Sequence, residues 1–78
     1  MREFKIRFRS FRDVQEFVNL ASAQDFSITV GNDSYHVSAT SFMGMFSLDY
    51  SGDLKVTVNC TDEQWERFSQ ETERFLVN

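Results

Sequence analysis

Ser10 stands between Arg9 and Arg12, a hydroxyl flanked by two guanidinium groups, and such a grouping can hold an anion where a helix begins. A plainer role is open to the same residues, with Ser10 as a helix cap and two solvated arginines beside it, and the residue types favour that one. Ser41 is a second hydroxyl with a distinctive setting. It precedes Phe42-Met43-Gly44-Met45-Phe46-Ser47-Leu48, five large apolar side chains interrupted only by Gly44 and Ser47. A short helix cannot bury all five beneath itself, so part of that surface must face outward, where apolar patches serve protein partners and methionines repack against different ones. A phosphate on a serine that caps such a helix carries about −1.5 to −2 charges and meets the positive end of the helix dipole. His36 and Cys60 are the only histidine and cysteine. A lone imidazole and a lone thiol do not make a metal site, and no residues form a catalytic set.

Simple periodicities give the elements that must position these groups. Residues 4–9 alternate, with Phe4, Ile6 and Phe8 on one face and Lys5, Arg7 and Arg9 on the other, the period of a half-buried strand. Ser10 then caps a helix over 11–23, with Asp13 at its third position and Val14, Phe17, Val18 and Ala21 at helical spacing. Phe26, Ile28 and Val30 alternate, Gly31-Asn32-Asp33-Ser34 makes a turn, and Tyr35, Val37 and Ala39 alternate beyond it, which describes a hairpin. Alternation puts His36 on the polar face of that hairpin. Ser41 opens the short apolar helix, and Asp49-Tyr50-Ser51-Gly52-Asp53 turns the chain into a strand through Leu54, Val56 and Val58, with Cys60 in phase at its end. Thr61 and Gln64 form a capping box, followed by a stripe of Trp65, Phe68, Thr72, Phe75 and Leu76. The expected core holds Phe4, Ile6, Phe8, Phe17, Phe26, Ile28, Val30, Val56, Val58 and Phe68, with Trp65 buried among them.

The order is β-α-β-β-α-β-α. Strands with one polar face suit an antiparallel sheet covered on one side, and helices with one apolar stripe supply the cover. At 78 residues the chain is the size of one domain, 1–78. Aromatics make up 15% of it, too apolar a payload for a disordered segment. One cysteine excludes an internal disulfide framework. The N-terminus is not signal-like and no apolar run is long, so a cytoplasmic protein is expected, with no membrane contact.

The net charge of −4 conceals a separation. Residues 1–12 hold five basic side chains against Glu3, and the other 66 hold three against eleven acidic ones. Overall acidity opposes direct nucleic-acid binding. The basic segment either receives an acidic group or partner or is the solvated face of one strand.

Ser41 to Leu48 resembles, without a gap, the regulatory serine segment of the HPr family, the phosphocarriers of the bacterial sugar phosphotransferase system. Gram-positive members of that family carry Ser-Ile-Met-Gly-Val-Met-Ser-Leu there. The element order is also that of HPr over essentially the whole chain. The resemblance implies an α+β open-faced sandwich, a four-stranded antiparallel sheet with three helices on one face. It implies that Ser41 matches the serine phosphorylated by HPr kinase. Phe42, Met43, Met45, Phe46 and the adjoining Ser47 would then form the patch that docks on phosphotransferase enzymes and regulators.

The family's active site, Gly-hydrophobic-His-x-Arg-Pro, is not preserved. Anchoring on Phe17-Val18 puts Ser10 where the phosphoacceptor histidine belongs, Arg12 where the arginine belongs and Asp13 in place of the proline. A carrier holds its phosphoryl group on nitrogen, whereas a serine ester is too stable to be a good donor, and a serine hydroxyl needs a neighbouring base to attack. Two further departures are Thr40, where relatives often carry lysine, and Asp49, where they often carry glycine. The combined expectation is a non-enzymatic regulatory or docking protein of the phosphotransferase system or of carbon catabolite control, needing no cofactor or metal. The catabolite-repression paralogue of HPr, which also lacks the histidine, is similar. Two alternatives stay open at the level of sequence. One is a genuine phosphocarrier-type component acting through unusual chemistry, with His36 as a relocated acceptor. The other is an adaptor unrelated to sugar uptake.

Overall fold

Alternating residues build four strands in the computed structural model, which describes residues 2–48 and 50–77. Asp49, part of the expected turn, lies outside the described residues. The strands β1 (Arg2–Ile6), β2 (Ser27–Gly31), β3 (His36–Ser38) and β4 (Leu54–Asn59) form one antiparallel sheet in the order β1-β4-β2-β3. Its register sorts the two faces. Phe4 lies opposite Val56 and Ile6 opposite Leu54, while Ile28 faces Val58 and Val30 faces Val56. One face is therefore apolar, and the residues between them, Glu3, Lys5, Thr29, Lys55 and Thr57, occupy the other. β1 was expected to run to Arg9, but the ladder stops at Ile6; Phe8 still turns inward and is buried.

The C-terminal segment closes the outer edge of β1. The Arg7 amide donates to the Phe75 carbonyl at 2.9 Å and the Val77 amide to the Lys5 carbonyl at 3.2 Å, flanking a bridge between Ile6 and Leu76. An edge paired in this way is no longer a template for another strand.

Three helices cover the apolar face. Helix α1 (Phe11–Ser22) starts at Ser10, whose hydroxyl accepts from the Asp13 amide at 3.4 Å. The Asp13 carboxylate reaches back to accept from the Arg9 amide at 3.0 Å, so two amide donors at this end are satisfied. The helix buries Val14, Phe17, Val18 and Ala21, the stripe read from spacing. The short α2 spans Phe42–Ser47. Helix α3 (Asp62–Glu71) has both arms of its capping box, Thr61 amide to Gln64 Oε1 at 2.9 Å and Gln64 amide to Thr61 Oγ1 at 3.2 Å.

The expected continuous stripe from Trp65 to Leu76 breaks at its far end. Thr72 donates its buried hydroxyl to the Phe68 carbonyl at 2.9 Å, and the chain tightens into a 3₁₀ turn over Glu73–Phe75. That turn sends Phe75 into the core and leaves Leu76 36% exposed. Phe4, Phe26 and Trp65 are only half-buried and line the margin of the core. The Trp65 ring lies 5.2 Å from Phe4 and beneath the Arg2 guanidinium, 5.4 Å from the ring centroid.

Phe68, fully buried and meeting Phe4, Phe17 and Phe26, should lose about 3–5 kcal/mol on replacement by Ala. Trp65→Ala should lose about 1–2 kcal/mol, because only part of its ring is withdrawn from water. Urea unfolding of the two variants compares them, and equal losses would contradict the marginal position of Trp65.

Candidate functional site

The Ser41 hydroxyl accepts from the Gly44 amide at 3.1 Å, and its carbonyl accepts from the Met45 amide at 2.9 Å. The side chain is half-buried, its oxygen turned into the first turn of α2. Gly44 permits this arrangement. A Cβ there would lie 3.2 Å from the Ser41 hydroxyl and 3.2 Å from Val37 Cβ on β3, so the glycine lets α2 rest closely on the sheet edge.

Only part of the expected docking surface is at the surface. Met45 is 1% exposed and Leu48 is buried with it. Met45 is the residue by which α2 anchors to the core, so it is corrected from docking patch to core. Met43 is 81% exposed and Phe42 is 41% exposed, while Phe46 is half-buried and Ser47 exposed. Ser47 donates its hydroxyl to the Met43 carbonyl at 2.8 Å, a bond within the helix that leaves the side chain at the rim.

Phe11 extends the patch beyond the segment from Phe42 to Ser47. Phe11 is 52% exposed and stacks on Phe46, with ring centroids 4.5 Å apart and planes within 20°. Phe46 in turn meets Phe42 at 5.6 Å. These three rings and Met43 form a ridge joining the start of α1 to α2. Phe11 is in phase with Val14 and Val18, so periodicity sends it toward the core. The available signal was position: as the first residue after the cap, its turn meets α2.

Ser10 is exposed and engaged as the α1 cap. Arg12 points along α1 to Glu16, Nε to Oε1 at 3.6 Å, and Glu16 also pairs with Arg74. Arg12 is therefore not folded back over Ser10, and the serine and its two arginines do not close into an anion pocket. Elsewhere in the basic segment, Arg2 pairs with Asp62 and Arg7 with Asp53. Three of the five N-terminal cations are matched within the chain, while among the described residues Lys5 and Arg9 form no ion pair. His36 lies on the uncovered face opposite Gly31, whereas Ser10 and Ser41 cap helices that cover the other face. Cys60 is a free, half-buried thiol just past β4.

Comparison with known proteins resolves the family. A family model described as "PTS HPr component phosphorylation site" matches residues 10–78. The chain belongs to the HPr family. A crystal structure of HPr-C-His from Thermoanaerobacter tengcongensis is similar to it at 28% identity, with a TM-score of 0.75 over 92% of this chain and 90% of that one. No curated protein matches. The open-faced α+β sandwich is thus that of HPr, and the protein is an HPr-like relative of the phosphotransferase system, a family that carries phosphoryl groups. Within the matched range, Ser10 is the first residue and His36 is the only imidazole. Among the described residues, no helix is long and apolar enough to cross a membrane.

The cap geometry yields a stability test. Ser41→Ala should lose about 0.5–2 kcal/mol, whereas Ser41→Asp should stay close to the wild type because aspartate caps equally well. Thermal melts of the two variants decide, and an aspartate variant less stable than the alanine one would contradict the cap.

Proposed function

We propose that this HPr-like protein is a regulatory docking protein of the phosphotransferase system or of carbon catabolite control, and that it does not transfer phosphate through histidine. What supports the reading is that the residue the resemblance aligns with the phosphoacceptor histidine is Ser10, a helix cap with no ring nitrogen. His36 does not replace it, because its side chain is on the sheet face away from the helices. The docking surface is the ridge of Phe11, Phe42, Met43 and Phe46 with Ser47 at its rim, and it receives phosphotransferase enzymes, HPr kinase or a transcriptional regulator.

Ser41 is the regulatory phosphorylation site of this proposal. Its hydroxyl must leave the cap bond to Gly44 to accept phosphate, and a phosphate oxygen can take over as acceptor from the same amide. The added charge lies beside Phe42, so the edge of the ridge changes from apolar to anionic. Partners with an arginine beside their docking pocket gain affinity, and partners needing a dry contact lose it. A second reading, a carrier that uses Ser10, draws on the family's description as a phosphorylation site, but a serine ester is a poor donor. An adaptor role outside sugar uptake would use the same ridge.

Incubation with Enzyme I and phosphoenolpyruvate should leave the protein unlabelled, and an acid-labile, base-stable phosphate on His36 would overturn the proposal. Incubation with HPr kinase and ATP should add one phosphate, mapped to Ser41 by mass spectrometry. That phosphate should vanish in Ser41→Ala and persist in Ser47→Ala; label persisting in Ser41→Ala reduces Ser41 to a helix cap.

A further inference from the structure

The uncovered sheet face holds a hollow of about 540 Å³ between β1, β4 and the β2–β3 hairpin. Its floor is Gly31, which lies opposite Lys55 on one side and His36 on the other. A Cβ at Gly31 would lie 2.5 Å from His36 Cδ2 and 2.5 Å from the Tyr35 carbonyl oxygen. The imidazole therefore lies over the glycine, and any larger residue would expel it. A glycine within a strand weakens the strand and often marks a close approach by another group.

Not every charge around this floor is paired within the chain. Lys5 lies directly opposite Lys55 in the β1–β4 ladder, a like-charge pairing that is unfavourable in itself. Glu3 bonds Lys55 at 2.9 Å, while Lys5 forms no ion pair and the His36 imidazole no hydrogen bond among the described residues. Of the two carboxylates at the rim, Asp53 is held by Arg7 at 2.7 Å. Asp33 is exposed and free to accept. The hollow thus presents two ammonium groups, an imidazole and one open carboxylate acceptor around its rim. It is also far larger than one phosphate group needs, so a body attached to the anion has room.

We infer that the hollow bounded by Lys5, Lys55, His36 and Asp33 binds a small hydroxyl-bearing phosphate monoester. The phosphate receives Lys5, Lys55 and the imidazole, and a hydroxyl of the ester donates to Asp33. This site is on the face opposite the docking ridge and is independent of the reading of Ser41.

Glycerol 3-phosphate is a suitable probe, followed by amide chemical shifts of the intact ¹⁵N-labelled protein, with inorganic phosphate and glycerol as comparison ligands. Saturable shifts should centre on Gly31, His36 and Lys55 and weaken as salt is raised. Lys5→Gln, at an exposed position, should weaken binding about fivefold, whereas Arg67→Gln on α3 should leave it unchanged. Glycerol should give no shifts. Absence of shifts with the ester, or equal weakening by Arg67→Gln, would overturn the site. Inorganic phosphate binding as tightly as the ester would overturn the assignment to an ester.

Discussion

The Phe17 ring is the contact on which the other elements depend. It meets Phe8, Phe68 and Phe75 edge to face, at centroid separations of 5.5, 6.3 and 5.4 Å. Those partners come from the segment after β1, from α3 and from the final 3₁₀ turn. Edge-to-face pairs add about 0.5–1.5 kcal/mol each beyond area burial, but their structural effect is larger than that figure. They hold both long helices on the same side of the sheet and bring the chain end back beside β1. A small fold has little apolar surface to spare, so committing the aromatics to one side leaves the other face to polar residues.

That sidedness separates the molecule's two surfaces of interest. On the covered side, α2 is too short to bury more than one of its own residues, Met45. Phe42, Met43 and Phe46 are left around the cap, where Phe11 extends them. On the uncovered side, no element among the described residues lies over the sheet, so Lys5, Lys55 and His36 gather around Gly31. Serines on one face and the imidazole on the other are thus a direct result of how the core is built.

Ion pairs have a subordinate part. Arg2–Asp62, Arg7–Asp53, Lys55–Glu3 and Arg74–Glu16 are exposed pairs, each worth about 0–1 kcal/mol. Two of them, Arg2–Asp62 and Arg7–Asp53, set cations of the basic N-terminal segment against acids from later in the chain. Two of the five N-terminal cations are thus answered by distant segments and Arg12 by Glu16 within its own helix, while Lys5 and Arg9 have no ion-pair partner among the described residues.

Much of the fold was legible in the sequence because local periodicity and capping chemistry are local properties. The alternation of Phe4 with Ile6 and Ile28 with Val30, the caps at Ser10, Ser41 and Thr61, and the segment from Ser41 to Leu48 each depend on neighbours a few residues away. What the tertiary structure decided concerns contacts across the chain. Phe11 obeys the inward period of α1 and yet lies on the ridge, because Phe46, thirty-five residues later, stands beside its turn. Met45 and Met43 are alike in type and two residues apart, but only the seating of α2 on β3 sends one inward and the other out. Leu76 follows the stripe in sequence and leaves it in space, because Thr72 tightens the chain end. Lys5 and Lys55 are fifty residues apart, and only the register of β1 against β4 makes them neighbours. A side chain's type and its place within an element are written locally, but its surroundings are set by whichever distant element packs against it.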